Sequence, residues 1–285
     1  MIITKLKGGL GNQLFQYAFG RYLAEKNNDT LKLDIIGLQQ NSKDTLRFYL
    51  LDKFNITAGI ANRDEIQKIK NPLGFFSKIF RFLKTKIFRK FYIGFEEKLL
   101  KLKGNIYLDG YFQSELYFKE IESILKKEFT LKNSLSQIAQ KIEEQIHNKG
   151  ASVSIHIRRG DYITDSSAAK AHGTCDLNYY AQAISKISSS VTNPAFFIFS
   201  DDIEWVKENL KVENATYVSN PNLTEYEELI LMSKCKHNII ANSTFSWWAA
   251  WLNLNINKIV ITPKQWRKDM NSDTLQIIPT SWIQI

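Results

Sequence analysis

Apolar residues along the chain fall into two alternating patterns. Short aliphatic runs occur at Ile2-Ile3-Thr4-Lys5-Leu6, Leu31 to Ile36, Ile106-Tyr107-Leu108, Val153 to Ile157, Ala195 to Ser200, Tyr217-Val218, Asn238-Ile239-Ile240 and Lys258 to Ile261. Their length and continuity predict strands. Between them lie longer stretches with helical spacing. In the first, from about Asn12 to Lys26, Leu14, Tyr17, Ala18, Arg21 and Tyr22 share the 3.6-residue period. Further helices are expected over 135–148, 177–188, 203–209, 224–234 and 246–252. Strand–helix alternation in both halves predicts an α/β fold with parallel sheets covered on both faces. Gly150 ends the 135–148 helix as a C-terminal stop. The boundary is therefore expected there, with domains at 1–149 and 150–285. Ligands in such sheets bind at the carboxyl ends of strands, and two such domains would form a cleft.

Composition narrows the class without choosing a function. Of 285 residues, 44% are hydrophobic and 13% aromatic, enough for an extensive core. Two cysteines exclude a disulfide framework and a four-thiolate zinc site. No apolar run approaches the roughly 18 residues of a spanning helix, and the N-terminus has no signal-peptide h-region. A cytoplasmic protein with reduced Cys175 and Cys235 is expected. The net charge of +9 is unevenly placed: Phe75 to Lys103 carries nine Lys and Arg against Glu96 and Glu97. On a helix, Phe76, Ile79, Phe80, Leu83, Ile87 and Phe91 would form one stripe, with Lys78, Arg81 and Arg89 largely opposite. That pattern reads either as a surface helix facing the core or as a basic amphipathic face on an anionic membrane, peripheral at the inner membrane. No recognised nucleic-acid motif accompanies the charge.

Four constellations carry candidate chemistry. Gly8-Gly9-Leu10-Gly11-Asn12-Gln13 follows the first strand and opens a helix, where glycines admit a ligand to the backbone. It fits neither the dinucleotide fingerprint nor a P-loop, and reads as a polar binding loop or a tight structural turn. His156-Ile157-Arg158-Arg159-Gly160-Asp161-Tyr162 ends an apolar strand, with His156 and Arg158 on one face. Adjacent guanidiniums there call for an anion, for which the planar fork is suited, or for a carboxylate such as Asp161. Asp201 and Asp202 follow Phe199-Ser200 at another strand end. They would serve ribose, a guanine edge, the support of an arginine, or an N-cap. Asn242-Ser243-Thr244-Phe245 opens an apolar helix, with Ser243 and Thr244 as caps and backbone N–H groups facing a phosphate; Trp247 and Trp248 read as core. No Asp-x-Asp, His-Glu-x-x-His, Cys-x-x-Cys or Gly-x-Ser-x-Gly occurs, and the four histidines are dispersed, so no metal is expected.

Together and in this order, these motifs resemble the α1,2-fucosyltransferase family. The resemblance runs from Lys7 through Ala18, by way of His156 to Tyr162, His172 to Cys175 and Tyr179-Tyr180, to Asn238 through Trp248. It is weakest from Ile60 to Lys103. It implies a GT-B fold and metal-independent, inverting transfer of L-fucose from GDP-β-L-fucose, held mainly by the C-terminal domain, to the 2-hydroxyl of a β-galactoside. Without the membrane anchor of animal relatives, the chain looks like a bacterial enzyme building a fucosylated O-antigen, capsule or lipopolysaccharide on an acceptor that can be lipid-linked.

The resemblance also assigns roles. Arg158, with Arg159 assisting, would stabilise charge on the departing phosphate, alongside donors from Asn242, Ser243, Thr244 and Phe245. His156 would face the nucleotide. Glu228 sits where relatives place an acidic residue on guanine, more often Asp, with Glu227 as fallback. Gly11, Asn12 and Gln13 would present the N-terminal loop, Asn12 toward the sugars. Asp161 or Asp165 would be the base, or none is needed. Alternatives are a GT-B fucosyltransferase of another linkage, an inactive sugar-binding relative and, on charge alone, a nucleic-acid-binding protein.

Overall fold

The computed structural model describes residues 1–38, 47–70, 93–160, 173–268, 270 and 275–285. By its contacts the chain forms two compact units. The first is Met1–Lys132, joined by a returning piece that includes Leu275, Gln276 and Ile277; the second takes the rest, from Asn133 on.

The first unit is built on a parallel sheet of β1 (Ile2–Lys5), β2 (Leu31–Asp34), β3 (Gly59–Ile60) and β4 (Ile106–Leu108), in the order β3-β2-β1-β4. β1 lies between β2 and β4, with Ile2 opposite both Leu31 and Ile106. The chain then turns through Gly8, at φ +79°, into α1 (Leu10–Asn27). α1 is buried almost all round over its first four turns, unlike the one-sided stripe of a surface helix. Gly20 explains its close approach to the sheet, because a Cβ there would stand 2.3 Å from Thr4 Oγ1. Asn28, left-handed, ends the helix by donating its N–H to Ala24 and Glu25 carbonyls. α2 (Arg63–Lys70) and the short α3 (Glu122–Glu128) complete the named helices of this unit. A buried carboxylate, Glu128, ties α3 to α1 by accepting from Tyr17 Oη (2.6 Å) and Arg21 Nε (3.0 Å).

The second unit opens with α4 (Gln137–His147) and continues through β5 (Ser152–Ile157), α5 (Leu177–Ser190), β6 (Ala195–Ser200), α6 (Ile203–Asn209), β7 (Ala215–Tyr217), α7 (Glu225–Lys234), β8 (His237–Ile239), α8 (Thr244–Leu252), β9 (Val260–Thr262) and β10 (Ile283–Gln284). All its strand pairs are parallel, in the order β10-β9-β8-β5-β6-β7. Val153, Ile155 and Ile157 pack with Tyr179, Tyr180, Ala183 and Ile187 of α5 on one face. On the other, Asn238 Nδ2 donates to Ser154 Oγ at 2.8 Å. Trp247 and Trp248 are fully buried, as core.

The domain boundary expected at Gly150 is corrected to the Lys132–Asn133 junction. α4 packs against α7, and the Ser136 N–H before it donates to Glu227 Oε1 at 2.7 Å. Its stop signal is genuine, but it ends a helix inside the second unit. Cys175 and Cys235 are free thiols. No helix among the described residues is long and apolar enough to cross a membrane. Of the basic segment, 75–92 lies outside the described residues, so its amphipathic reading does too.

Candidate active site

In the second unit the strand order reverses at β5. β6 and β7 lie to one side, β8, β9 and β10 to the other. The carboxyl edge at such a switch is where parallel sheets bind ligands, and the His156–Gly160 motif leaves β5 there.

The motif is held by carboxylates from the end of β6. Asp201 accepts from the Arg159 N–H and the Gly160 N–H, both at 2.9 Å, and from Arg158 Nη1 at 3.0 Å. Gly160 is required at this approach, since a Cβ would stand 2.6 Å from Asp201 Oδ2. Asp202 accepts from Arg159 Nε at 3.2 Å, and the Arg159 guanidinium lies 3.3 Å over the Trp205 ring. Of the readings open for Asp201 and Asp202, the geometry shows the support of arginines. Asp202 occupies the N-cap position of α6, yet its side chain does not cap. His156 is buried, with Nδ1 lacking a partner. Burial, then the charge of Arg158, pushes it down to about 3, so it is a neutral imidazole at pH 7. Its ring lies 5.5 Å from that of Phe245.

Phe245 belongs to the first turn of α8. Ser243 is the N-cap and its Oγ accepts from the Phe245 N–H at 3.3 Å. Thr244 and Phe245 are half-buried at this N-terminus. Asn242, expected on the ligand, instead braces the loop: it is buried, and Nδ2 donates to Gly173 O (3.0 Å) and Trp266 O (3.5 Å). Its Oδ1 accepts from Cys175 Sγ at 3.5 Å.

Glu227 and Glu228 of α7 separate cleanly. Glu227 closes a capping box with Thr224 and holds Ser136, so its carboxylate is committed. Burial would raise it, but those hydrogen bonds outweigh burial and hold it below its ordinary value. The fallback role on guanine is therefore corrected to a brace between α4 and α7. Glu228 is pushed up to about 7 by burial, offset by a hydrogen bond with Ser219 and reinforced by the charges of Asp201 and Glu225. A half-titrating carboxyl beside the switch point fits a ligand-binding group.

In the first unit, Gly11 is buried in the first turn of α1. Gln13, expected on the substrate, is fully buried: Nε2 donates to Phe48 O (2.8 Å) and Gly8 O (3.1 Å), and Oε1 accepts from the Leu50 N–H (3.2 Å). It braces the turn instead. Asn12 is half-buried and accepts from Gln113 Nε2 at 2.8 Å. Asp161, Asp165 and His172 lie outside the described residues.

Sequence reading missed Trp205, Ser219 and Gln113. Trp205 stands four residues after Asp201, a spacing that carried no signal of its own; Gln113 follows β4 as Gln13 follows the glycine turn.

Two parallel α/β units define the GT-B glycosyltransferase fold, shared with NodZ α-1,6-fucosyltransferase of Bradyrhizobium (TM-score 0.54, 16% identical, 88% of this chain and 91% of that one). The chain belongs to glycosyl transferase family 11, which it matches over residues 1–285. It is 35% identical to the O-antigen biosynthesis glycosyltransferase WbnK of Escherichia coli, over 98% of this chain and 99% of that one. It is also 35% identical to an α-1,2-colitosyltransferase of Escherichia coli, over 100% and 99%.

Proposed function

We propose that the protein transfers L-fucose from GDP-β-L-fucose, with inversion, to the 2-hydroxyl of a β-galactoside in a bacterial surface glycan, without a metal ion. One observation carries this reading: a carboxylate-held pair of arginines and the N-terminus of α8 come from adjacent strands at one sheet switch point. Departure of GDP loads negative charge on the β-phosphate. Arg158 meets that charge, and the first turn of α8, with Ser243, Thr244 and Phe245, offers N–H and hydroxyl donors. Asp201 fixes Arg158 before the substrate arrives, so little reorganisation remains for the reaction itself.

Guanine would lie toward Glu228, whose carboxylate can accept from both N1–H and N2–H, with neutral His156 as a second polar edge. The acceptor hydroxyl attacks the far face of the fucose through an oxocarbenium-like transition state. Its proton goes to Asp161, to Asp165, or to solvent.

A second donor is favoured by the equal 35% identity to a colitosyltransferase. Colitose is L-fucose without its 3-hydroxyl, so the same diphosphate machinery would serve both. The test is GDP release from each donor with lactose or N-acetyllactosamine in EDTA, followed by linkage analysis. An α1,2-fucosylated product supports the reading. A strong preference for the 3-deoxy donor moves it to the second. Failure to bind GDP in calorimetry removes both.

A further inference from the structure

The first sheet has its own switch point, between β1 and β4. The chain segments leaving those two strands meet there through side chains: Gln113 Nε2 donates to Asn12 Oδ1 at 2.8 Å. The contact is enforced from the Gln113 side. Phe112, just before it, sits at φ +52°, a left-handed conformation that aromatic residues rarely adopt. Its ring is buried, with centroids 4.8 Å from Phe19 and 5.9 Å from Tyr117. The Gln113 N–H donates to Ile93 O at 2.8 Å. Strain kept in place by burial beside a sheet switch point marks a functional constraint.

An Asn amide has one oxygen and one NH2 group. Gln113 takes the oxygen, so Nδ2 of Asn12 is left as the donor. That amide edge lies over Gly8, where a Cβ would stand 2.6 Å from Nδ2. Two lysines share one carboxylate beside the turn: Lys7 Nζ lies 2.9 Å and Lys5 Nζ 3.2 Å from Asp109, and Lys7 Nζ stands 4.6 Å from the Tyr111 ring centroid. The amide edge itself is a neutral N–H donor, which a sugar oxygen can meet.

We infer that Gln113 is a positioning residue for the acceptor sugar, holding the Asn12 amide so that Nδ2 donates to a sugar oxygen at the β1/β4 switch point. The inference rests on the acceptor assignment above. Gln113→Glu replaces the donor by acceptor oxygens and turns the Asn12 amide round, withdrawing Nδ2. Asn12→Asp keeps the bond from Gln113 but removes the Nδ2 donor. Each is expected to raise the acceptor KM roughly tenfold, the size of one lost hydrogen bond. Donor KM and GDP affinity should stay unchanged.

A purely structural role predicts the opposite pattern: Asn12→Asp near wild type, and Gln113→Glu losing thermal stability with both KM values shifted together. That pattern, or acceptor KM within twofold of wild type in Asn12→Asp, overturns the inference. Should Gln113→Glu fail to fold, Asn12→Asp decides alone. Wild-type protein without any fucosyl transfer would instead count against the proposed reaction, a separate outcome.

Discussion

The two units present the same architectural position, the carboxyl edge at a sheet switch point, and furnish it with opposite chemistry. At the end of β5, charge is braced by charge: Asp201 and Asp202 hold Arg158, Arg159 and the Gly160 N–H. At the end of β1, neutral amides brace a glycine turn: Gln13 ties it to Phe48 and Leu50, and Gln16 bonds both backbone groups of Lys7. A guanidinium pair kept in place by carboxylates suits the departing diphosphate of the proposed reaction. The first edge carries its Lys5, Lys7 and Asp109 charges beside the turn rather than bonded to its backbone, and the groups that fix the turn itself are neutral amides. The division matches a reaction in which one substrate is a nucleotide diphosphate sugar and the other a glycan.

Three substitutions sharpen the contrast. Asp201→Asn has the largest expected effect, because an amide cannot accept from Arg158 Nη1, Arg159 N–H and Gly160 N–H together. Turnover should fall by about a hundredfold, the scale of losing an electrostatic stabiliser, with acceptor KM little changed in steady-state kinetics. Gln13→Leu should instead act on folding. It strands the Phe48 carbonyl and the Leu50 N–H, costing about 1–3 kcal/mol in thermal unfolding, with GDP affinity preserved in calorimetry. Equal loss of GDP affinity in both variants would erase the distinction between the two edges.

The smallest effect concerns pH. Glu228 is pushed up to about 7, and the guanine contact proposed for it requires its ionised form. GDP affinity should therefore rise with pH from 6 to 8 by up to about tenfold per unit below 7, and flatten above. Glu228→Gln should bind GDP more weakly and lose that slope. Stability has the opposite sign. In the folded state this carboxyl holds its proton up to about 7, whereas the unfolded chain releases it in the ordinary carboxylate range. Its contribution thus declines as pH rises through that window, and Glu228→Gln should be relatively more stable at pH 8.

Much of the fold was legible because parallel strands carry local signals. β5 and β6 are continuous apolar runs and sit where the hydrophobic pattern placed them. Helix starts were less legible. α1 begins at Leu10 and α8 at Thr244, each two residues before the periodic segment, because Gly9 and Ser243 act as N-caps. α2 carried a readable start that the hydrophobic pattern does not contain: the Asn62 side chain accepts from the Glu65 N–H (2.9 Å) while Glu65 accepts from the Asn62 N–H (3.0 Å). β3 and β10 are two residues each, too short for any periodicity.

At the site, residue types were readable and partners were not. The sequence marks Arg158 and Arg159 as needing a counter-charge, and the adjacent Asp161 was the local candidate. The carboxylates that hold them come from 42 to 43 residues away, across a strand pairing that only the folded sheet creates. Gln13 and Asn242 mislead for a related reason: a polar residue beside a glycine turn or a cap looks the same in sequence whether it meets a ligand or braces the loop.

The central claim is that Arg158 stabilises the charge on the departing diphosphate. Its most direct test is steady-state transfer from GDP-fucose in EDTA by wild type and Arg158→Ala. The expected result is turnover by the wild type and a kcat lower by two to three orders of magnitude in the variant, roughly the scale of removing an oxyanion stabiliser. A variant that keeps wild-type kcat, or an enzyme active only after metal is restored, would contradict the claim.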